Sequence, residues 1–323
     1  MRKIYGCLLA VMTLWMSGCT ATIGNLQEYE AAPMSEAEFM PSAQEMNDVN
    51  TKVLFIRLNN GGSDTAQRAN LAQTLNTALI SALASGGGIE LIDRAMDVTL
   101  SDEIKLHELH RDTPAAENSV RLASYALKGE ISSATFATRY VKARVWYDKK
   151  GKLHRSQPYY VYTSRVEGIL GIYAVPSMRL LKNFDFYGSS SHSKASRYAQ
   201  RFNAALVQQA GRSAIGRVRQ QLQHFLSPKG YVLYKRIRDD EAIYEVSLGH
   251  NEGLSMGDDV NLYRKYRFHN PITDKSEIRE KVIAAGSVSE KIDAHSAWII
   301  LQSIEAGYEV RLGDVIRKTY DNW

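Results

Sequence analysis

The sequence predicts an α+β protein: a mixed sheet with packed helices, followed by a small all-β barrel. Three observations predict it. Strand-length apolar runs alternate with stretches of helical spacing between residues 51 and 131. A long helical stripe then runs from Ser193 to Leu226. Beyond Ser227-Pro228-Lys229-Gly230 the helical spacing stops, and short alternating runs bounded by Gly and Asp take over. The chain divides on this reading into residues 1–18, 19–50, 51–227 and 228–323.

The first division is a secretory signal. Arg2 and Lys3 form a short positive region, an apolar run extends from Ile4 to Met16, and small residues precede Cys19. The run is too short for a permanent membrane helix, which needs about 20 apolar residues. Met16-Ser17-Gly18-Cys19 resembles the lipobox of bacterial lipoproteins, with Met16 where Leu is usual. The resemblance implies cleavage before Cys19 and lipidation of Cys19, palmitate included. More than one acyl chain makes a durable anchor, at about 0.8 kcal/mol per buried CH₂. Thr20 stands where an Asp would favour inner-membrane retention in the enterobacterial proteins that the motif resembles. An outer-membrane anchor with the body in the periplasm is therefore expected. Residues 19–50, with Pro33, Pro41 and little periodicity, read as a lipidated flexible tether.

Composition narrows the function classes. The chain of 323 residues carries a net charge of +5, a mild basic balance that suits anionic envelope polymers better than nucleic acid. Of the two cysteines, Cys7 lies in the signal and Cys19 is the lipidation site. The mature body is left with no disulfide and no thiol nucleophile.

Val53-Leu54-Phe55-Ile56 reads as a strand covered on both faces. Asn59 to Ser63 is a turn, and Asp64 starts one helix, with Gln67 placed for a capping box. Leu71, Leu75, Leu79, Ala82 and Leu83 form its apolar face. Ser85-Gly86-Gly87-Gly88 follows a helix and precedes a strand, so it reads as a helix stop and not a phosphate loop. Ile89–Ile92 is a strand, 100–110 and 115–124 are helical, and Tyr125–Ile131 is a strand.

This order resembles the TolB N-terminal-like fold, versions of which occur in the curli-secretion channel lipoprotein (CsgG), the peptidoglycan-synthase activator lipoprotein (LpoB) and the middle domain of the flagellar H-ring protein (FlgT). The resemblance covers roughly residues 50–226. The tail, residues 228–323, resembles the small SH3-like C-terminal barrel of the H-ring protein. Its Gly253–Asp258 and Gly307–Asp314 stretches are two echoing Gly–Asp turns, each leading into a strand.

From Phe136 the chain alternates through Trp146, turns at Asp148–Lys152, and returns from Tyr159 to Val166, a long hairpin. Two such hairpins per subunit build the membrane barrel of the curli channel. Here Lys142 and Arg144 share one face and Arg139 interrupts the other, which disfavours a lipid-facing surface. A second hairpin is not expected, because 184–193 reads as a turn running into the long helix. In that helix the stripe Tyr198, Phe202, Leu206, Ala210, Ile215, Val218, Leu222 and Phe225 slips at Gly211, which predicts a kink.

Chemistry is sparse. His107 and His110 are three apart, not the four of the zinc-protease helix, and no Cys or His set has zinc spacing. Asp239-Asp240-Glu241 and Asp258-Asp259 read as solvated turn acids. No catalytic residue, cofactor or metal is expected. Tyr159, Tyr160, Tyr162 and Trp146 are a candidate interface, because Tyr is apolar with a polar tip. The sequence thus predicts a non-enzymatic outer-membrane lipoprotein that scaffolds an envelope complex, with flagellar basal-body rings the best fit to the pair of resemblances. Its partners would be envelope proteins or copies of itself in a ring, with peptidoglycan as another candidate and no nucleic acid. A curli-type secretion channel and an activator of a peptidoglycan synthase are the alternatives.

Overall fold

The computed structural model describes residues 22–47, 49–92, 123–196 and 198–320. Cys19, the helices expected at 100–110 and 115–124, and the His107/His110 pair lie outside the described residues.

The first unit begins with β2 of the chain order β1 (Glu30–Ala32), α1 (Ala43–Asn47), β2 (Thr51–Ile56), α2 (Asp64–Arg68), α3 (Leu71–Ala84), β3 (Ile89–Ile92), β4 (Tyr125–Val141), β5 (Val145–Tyr147), β6 (Leu153–Arg155), β7 (Tyr159–Ala174), β8 (Leu180–Lys194) and α4 (Ala204–Phe225). Its sheet has the order β3-β2-β4-β7-β8, parallel at β3-β2-β4 and antiparallel at β4-β7-β8. Val53 and Phe55 of β2, Leu127 of β4, Leu170 and Ile172 of β7, and Phe184 and Phe186 of β8 bury against Leu71, Leu75, Leu79 and Leu83 of α3 and Val207, Ala210, Ile215 and Leu222 of α4.

Four local expectations change here. The helix expected from Asp64 is two helices. Ser63, not Asp64, caps α2 by accepting from the Ala66 N–H (3.2 Å), and Asn70 adopts a left-handed φ of 48°, which Asn tolerates, to start α3. The helix expected at 193–226 begins only at Ala204, capped by Asn203, and leaves Tyr198 82% exposed. It runs without a break through Gly211, and that glycine is a packing contact: a Cβ there would meet Leu71 Cδ1 at 2.7 Å. The residues before it are the second hairpin that the sequence analysis did not expect. β8 pairs with β7 from Leu180 to Lys194, and Gly188 lets it lie directly against Ala210 and Ala214 of α4. A run of Ser and His carries no apolar period, so its strand is specified by pairing and not by pattern.

The second unit is β9 (Gly230–Arg238), β10 (Glu241–Val246), β11 (Asp259–Asn270), β12 (Lys275–Ile292), β13 (Ala297–Ile304) and β14 (Val315–Lys318). They form a closed antiparallel barrel in the order β9-β10-β13-β12-β11-β14, shut by β14 on β9. Val232, Val246, Leu248, Val260, Leu262, Val288, Ile299 and Ile316 fill it. The α+β class is therefore corrected. Strand outweighs helix by 48% to 19%, and a closed six-stranded antiparallel barrel, not an SH3-like appendage to a helix-packed domain, is the dominant closed element.

The expected tether is also not a tether over its described part. β1 pairs with β9 at Glu30↔Ile237 to Ala32↔Lys235, and Glu36 bridges to Leu312. β14 meets β9 only at Tyr231 and Gly230, and β1 covers that β9 edge further along, at Lys235 to Ile237. Ile23 and Tyr29 are buried at 2% and 4% exposure on the outer wall, beside Ile243 and Trp298. The barrel is thus built from both ends of the chain, and the sheet unit is inserted between β1 and β9.

The two echoing turns share one geometry. Gly257 and Gly313 both have φ of +84°. Asp258 accepts from the Ser255 N–H (2.7 Å) and Asp314 from the Arg311 N–H (2.8 Å), each three residues back. Each acid also holds a cation, Lys318 at 2.6 Å for Asp258 and Arg264 in a two-pronged pair at 2.6 and 2.8 Å for Asp314. The Asp314 side chain is fully buried, so it depends on that pair. Arg264→Ala is expected to lower unfolding free energy by about 3–5 kcal/mol, because it strands a buried carboxylate. Lys318→Ala at the counterpart, where Asp258 keeps some solvent contact, is expected to cost less, about 1–2 kcal/mol. Urea unfolding of both variants checks the difference.

Candidate functional site

Two places collect unusual side chains: the junction of the units and the long arm of the sheet. At the junction the glycine stop does more than end a helix. Gly87 and Gly88 have φ of +69° and +60°, and Gly87 lies on Gly253 of the barrel with no room for a Cβ on either residue. Gly88 sits against Pro228 and the Glu252 carbonyl in the same way. The Tyr320 hydroxyl donates to the Gly86 carbonyl (3.0 Å), and Gln220 of α4 donates to the Tyr320 carbonyl (3.2 Å). Beside this contact is a cleft of about 300 Å³, bordered by Glu45, Asn50, Ser124, Tyr125, Lys229 and Tyr231. Burial, with the nearby Glu45 carboxylate, pushes the Tyr231 phenol up to about 12. The Asn50 side-chain oxygen faces no hydrogen-bond partner among the described residues.

The arm is the outer part of β4, β7 and β8, capped by the β5–β6 hairpin. β4 leaves the junction at Tyr125 and runs for about 50 Å to Val141 at a strand rise of about 3.3 Å per residue. One face turns toward the helices. There Tyr162 is 1% exposed, stacks on Phe136 (6.1 Å) and Tyr160 (6.4 Å), and its hydroxyl accepts from the Gln200 N–H (3.0 Å). Phe202 closes the stack edge-on to Phe136 at 5.5 Å, with the Arg68 guanidinium 4.2 Å above its ring. Tyr162 is therefore structural and leaves the candidate interface. Tyr160 belongs to the same stack and is half-buried. Trp146 at the tip is 48% exposed and stacks on His154 (5.4 Å). Tyr159, half-buried, lies on the opposite, open face.

That open face was not singled out by sequence reasoning. Cross-strand register places Thr135 opposite Arg165, Ala137 opposite Thr163, Arg139 opposite Val161 and Val141 opposite Tyr159, with Ser189, Ser191 and Ser193 of β8 alongside. The signal was present in the sequence as Arg139 and Arg165, 26 residues apart, but only pairing shows that they share a surface.

The clustered acids are accounted for structurally. Glu241 accepts from the Tyr29 hydroxyl (2.8 Å) and Arg238 (2.8 Å), and those hydrogen bonds hold its carboxyl below the usual range. Asp239 and Asp240 form the β9–β10 turn. Among the described residues no group of three or more His, Cys, Asp or Glu is placed to hold a metal ion.

No protein-family model and no curated protein matches the chain. Among solved structures it is similar to a candidate neuraminyllactose-binding hemagglutinin homolog from Helicobacter pylori, at 12% identity and a TM-score of 0.31 over 60% of this chain and 91% of the other. A candidate lipoprotein from Caulobacter crescentus matches at 12% identity and a TM-score of 0.25, over 57% and 96%. A minor lipoprotein from Acinetobacter baumannii matches at 13% and 0.23, over 55% and 91%. These likenesses are too shallow to assign a fold or a function to this chain.

The N-terminal contact has a defined pH dependence. Glu290 accepts from the Ile23 N–H (3.0 Å) and the Gly24 N–H (2.9 Å). Burial works to raise its pKa, but these donors outweigh it and hold the carboxyl below its ordinary value. The stabilisation is complete above the ordinary glutamate value of about 4.3 and is lost as pH falls through the depressed folded value. Amide protection factors at residues 23–29 are expected to fall below about pH 4 while barrel-core amides stay protected. Glu290→Ala is expected to give the same local release at pH 7, with a loss of about 1.5–3 kcal/mol in that contact.

Proposed function

We propose that this chain is a lipid-anchored envelope protein that acts without catalysis, as a rigid scaffold holding an arm away from its anchor. The observation that carries this is the place where the N-terminus docks. Ile23 is buried in the barrel wall only four residues after Cys19, so a lipidated Cys19 keeps the barrel within about 14 Å of the bilayer at full extension. The anchor would then work as a short clamp and not as a leash. The sheet unit is inserted in that barrel and pinned at Gly87–Gly253, so clamp, barrel and arm are mechanically continuous. Anchoring in the outer membrane with the body in the periplasm follows the Thr20 reading.

Within the scaffold reading, a ring component such as that of a flagellar basal body uses both units as lateral contacts. The channel reading has less support. Three strands reach the arm's tip, and neither face of the arm offers an apolar band, since Arg139 and Arg165 lie on one face and Lys194 and His192 on the other. An activator of a peptidoglycan synthase would use the same stand-off geometry.

Cys19→Ala is expected to abolish palmitate labelling and to move the protein from the membrane to the soluble periplasmic fraction. In the lipidated protein, a photoactivatable lipid should label the barrel surface near Lys291 and leave the β5–β6 tip unlabelled. Labelling of the tip in preference to the barrel would reverse the assigned orientation.

A further inference from the structure

The arm carries a charge that the rest of the chain does not. Residues 139–165 contain eight Lys or Arg and one acid, Asp148, a net of +7 in a chain whose total is +5. Asp148 is committed to the tip turn, where it accepts from the Lys150 and Lys152 N–H groups (both 2.9 Å). Among the described residues no carboxylate pairs with Arg139, Arg144 or Arg165, and all three are exposed. Two adjoining hollows follow this surface and share Arg139. The outer one, about 640 Å³, has Arg144, Trp146 and Tyr159 at its edges. The inner one, about 320 Å³, continues to Arg165 between threonines.

We propose that this face binds an anionic glycan strand, with Arg139, Arg144 and Arg165 receiving its carboxylates or phosphates and Trp146 and Tyr159 stacking on its sugar rings. A guanidinium presents paired donors that match either anion. Aromatic rings offer apolar faces to the C–H faces of sugars. Between the arginines the hydroxyls of Thr135 and Thr163 alternate with the apolar side chains of Ala137 and Val161, a mixed lining that matches a sugar, whose hydroxyls need hydrogen bonds and whose C–H faces do not. The two hollows follow one another along β4, from Thr135 through Arg139 to Val141 and on to Trp146, so a ligand that occupies both is an extended one. The proposal does not depend on lipidation of Cys19.

The test uses the chain produced without residues 1–19, which precede the described residues. Titration with polygalacturonate (carboxylated) and with phosphomannan (phosphorylated), followed by Trp fluorescence and calorimetry, should show saturable binding to at least one of them, weakened by salt. Which one binds identifies the anion. Neutral dextran should bind at least about tenfold more weakly. Arg139→Gln combined with Arg165→Gln, and separately Trp146→Ala, should each lower affinity about tenfold with unchanged thermal midpoints, as these side chains are exposed. Binding of neither glycan, equal binding of dextran, or glycan binding that these substitutions leave intact would each overturn the proposal. So would tighter binding to phosphatidylglycerol vesicles or to single-stranded DNA, which would assign the face to a bilayer or a nucleic acid. If a variant misfolds, quenching of exposed Trp146 by the glycan in the parent chain still decides the matter.

Discussion

A six-stranded barrel closed by two residue pairs is nearly open, and the edge it leaves is the constraint on which the rest of this structure depends. β14 meets β9 only at Tyr231 and Gly230, while β9 runs on to Arg238. An uncovered β9 edge would present unpaired N–H and C=O groups to any other strand. β1 takes that edge at Ile237 to Lys235, and residues 23–29 cover the apolar outer wall at Ile243 and Trp298. The N-terminal segment therefore covers the part of the β9 edge that barrel closure leaves open.

From this follows the insertion of the sheet unit. Both of its connections to the barrel leave from the same place, one before Thr51 and one through Ser227-Pro228-Lys229. Two strands of chain restrict rocking more than one would, and the Gly87–Gly253 contact removes what freedom remains, because backbone meets backbone with no side chain to yield. Gln223 adds to this from within the sheet unit. It is buried and donates to the Ala82 carbonyl (2.6 Å), satisfying the end of α3 next to the glycines.

What could be read from the sequence was local, and what escaped it was pairing at a distance. The barrel strands, the α3 stripe through Leu71, Leu75 and Leu79, and the Gly–Asp turn echo were legible because each is written in neighbouring residues. β8 escaped because Gly188 to Ser193 has neither apolar period nor β-branched residues, and only β7 makes it a strand. β1 escaped because Glu30-Ala31-Ala32 is three residues long and its partner is some 200 positions away. The start of α4 was misplaced by eleven residues because Tyr198 and Phe202 happen to fall in phase with the stripe that follows. Of the candidate interface, Trp146 and Tyr159 keep exposed area, but composition alone does not tell the half-exposed Tyr159 from Tyr162, which pairing turns inward three residues later.

The arm shows why one face can be given over to charge. Arg139 faces Val161 and Arg165 faces Thr135 across the ladder, so neither has an opposite charge as its cross-strand partner in the pairing of β4 with β7. The arm is held instead from its other face, by the stack of Phe136, Tyr162 and Tyr160 closed by Phe202 and Arg68. Aromatic pairs of this kind add about 0.5–1.5 kcal/mol each beyond their buried area. The stack lies entirely on the helix side, so its stabilisation does not draw on the open face. The aromatic stack therefore holds the arm without help from these guanidiniums, which pair with no carboxylate among the described residues.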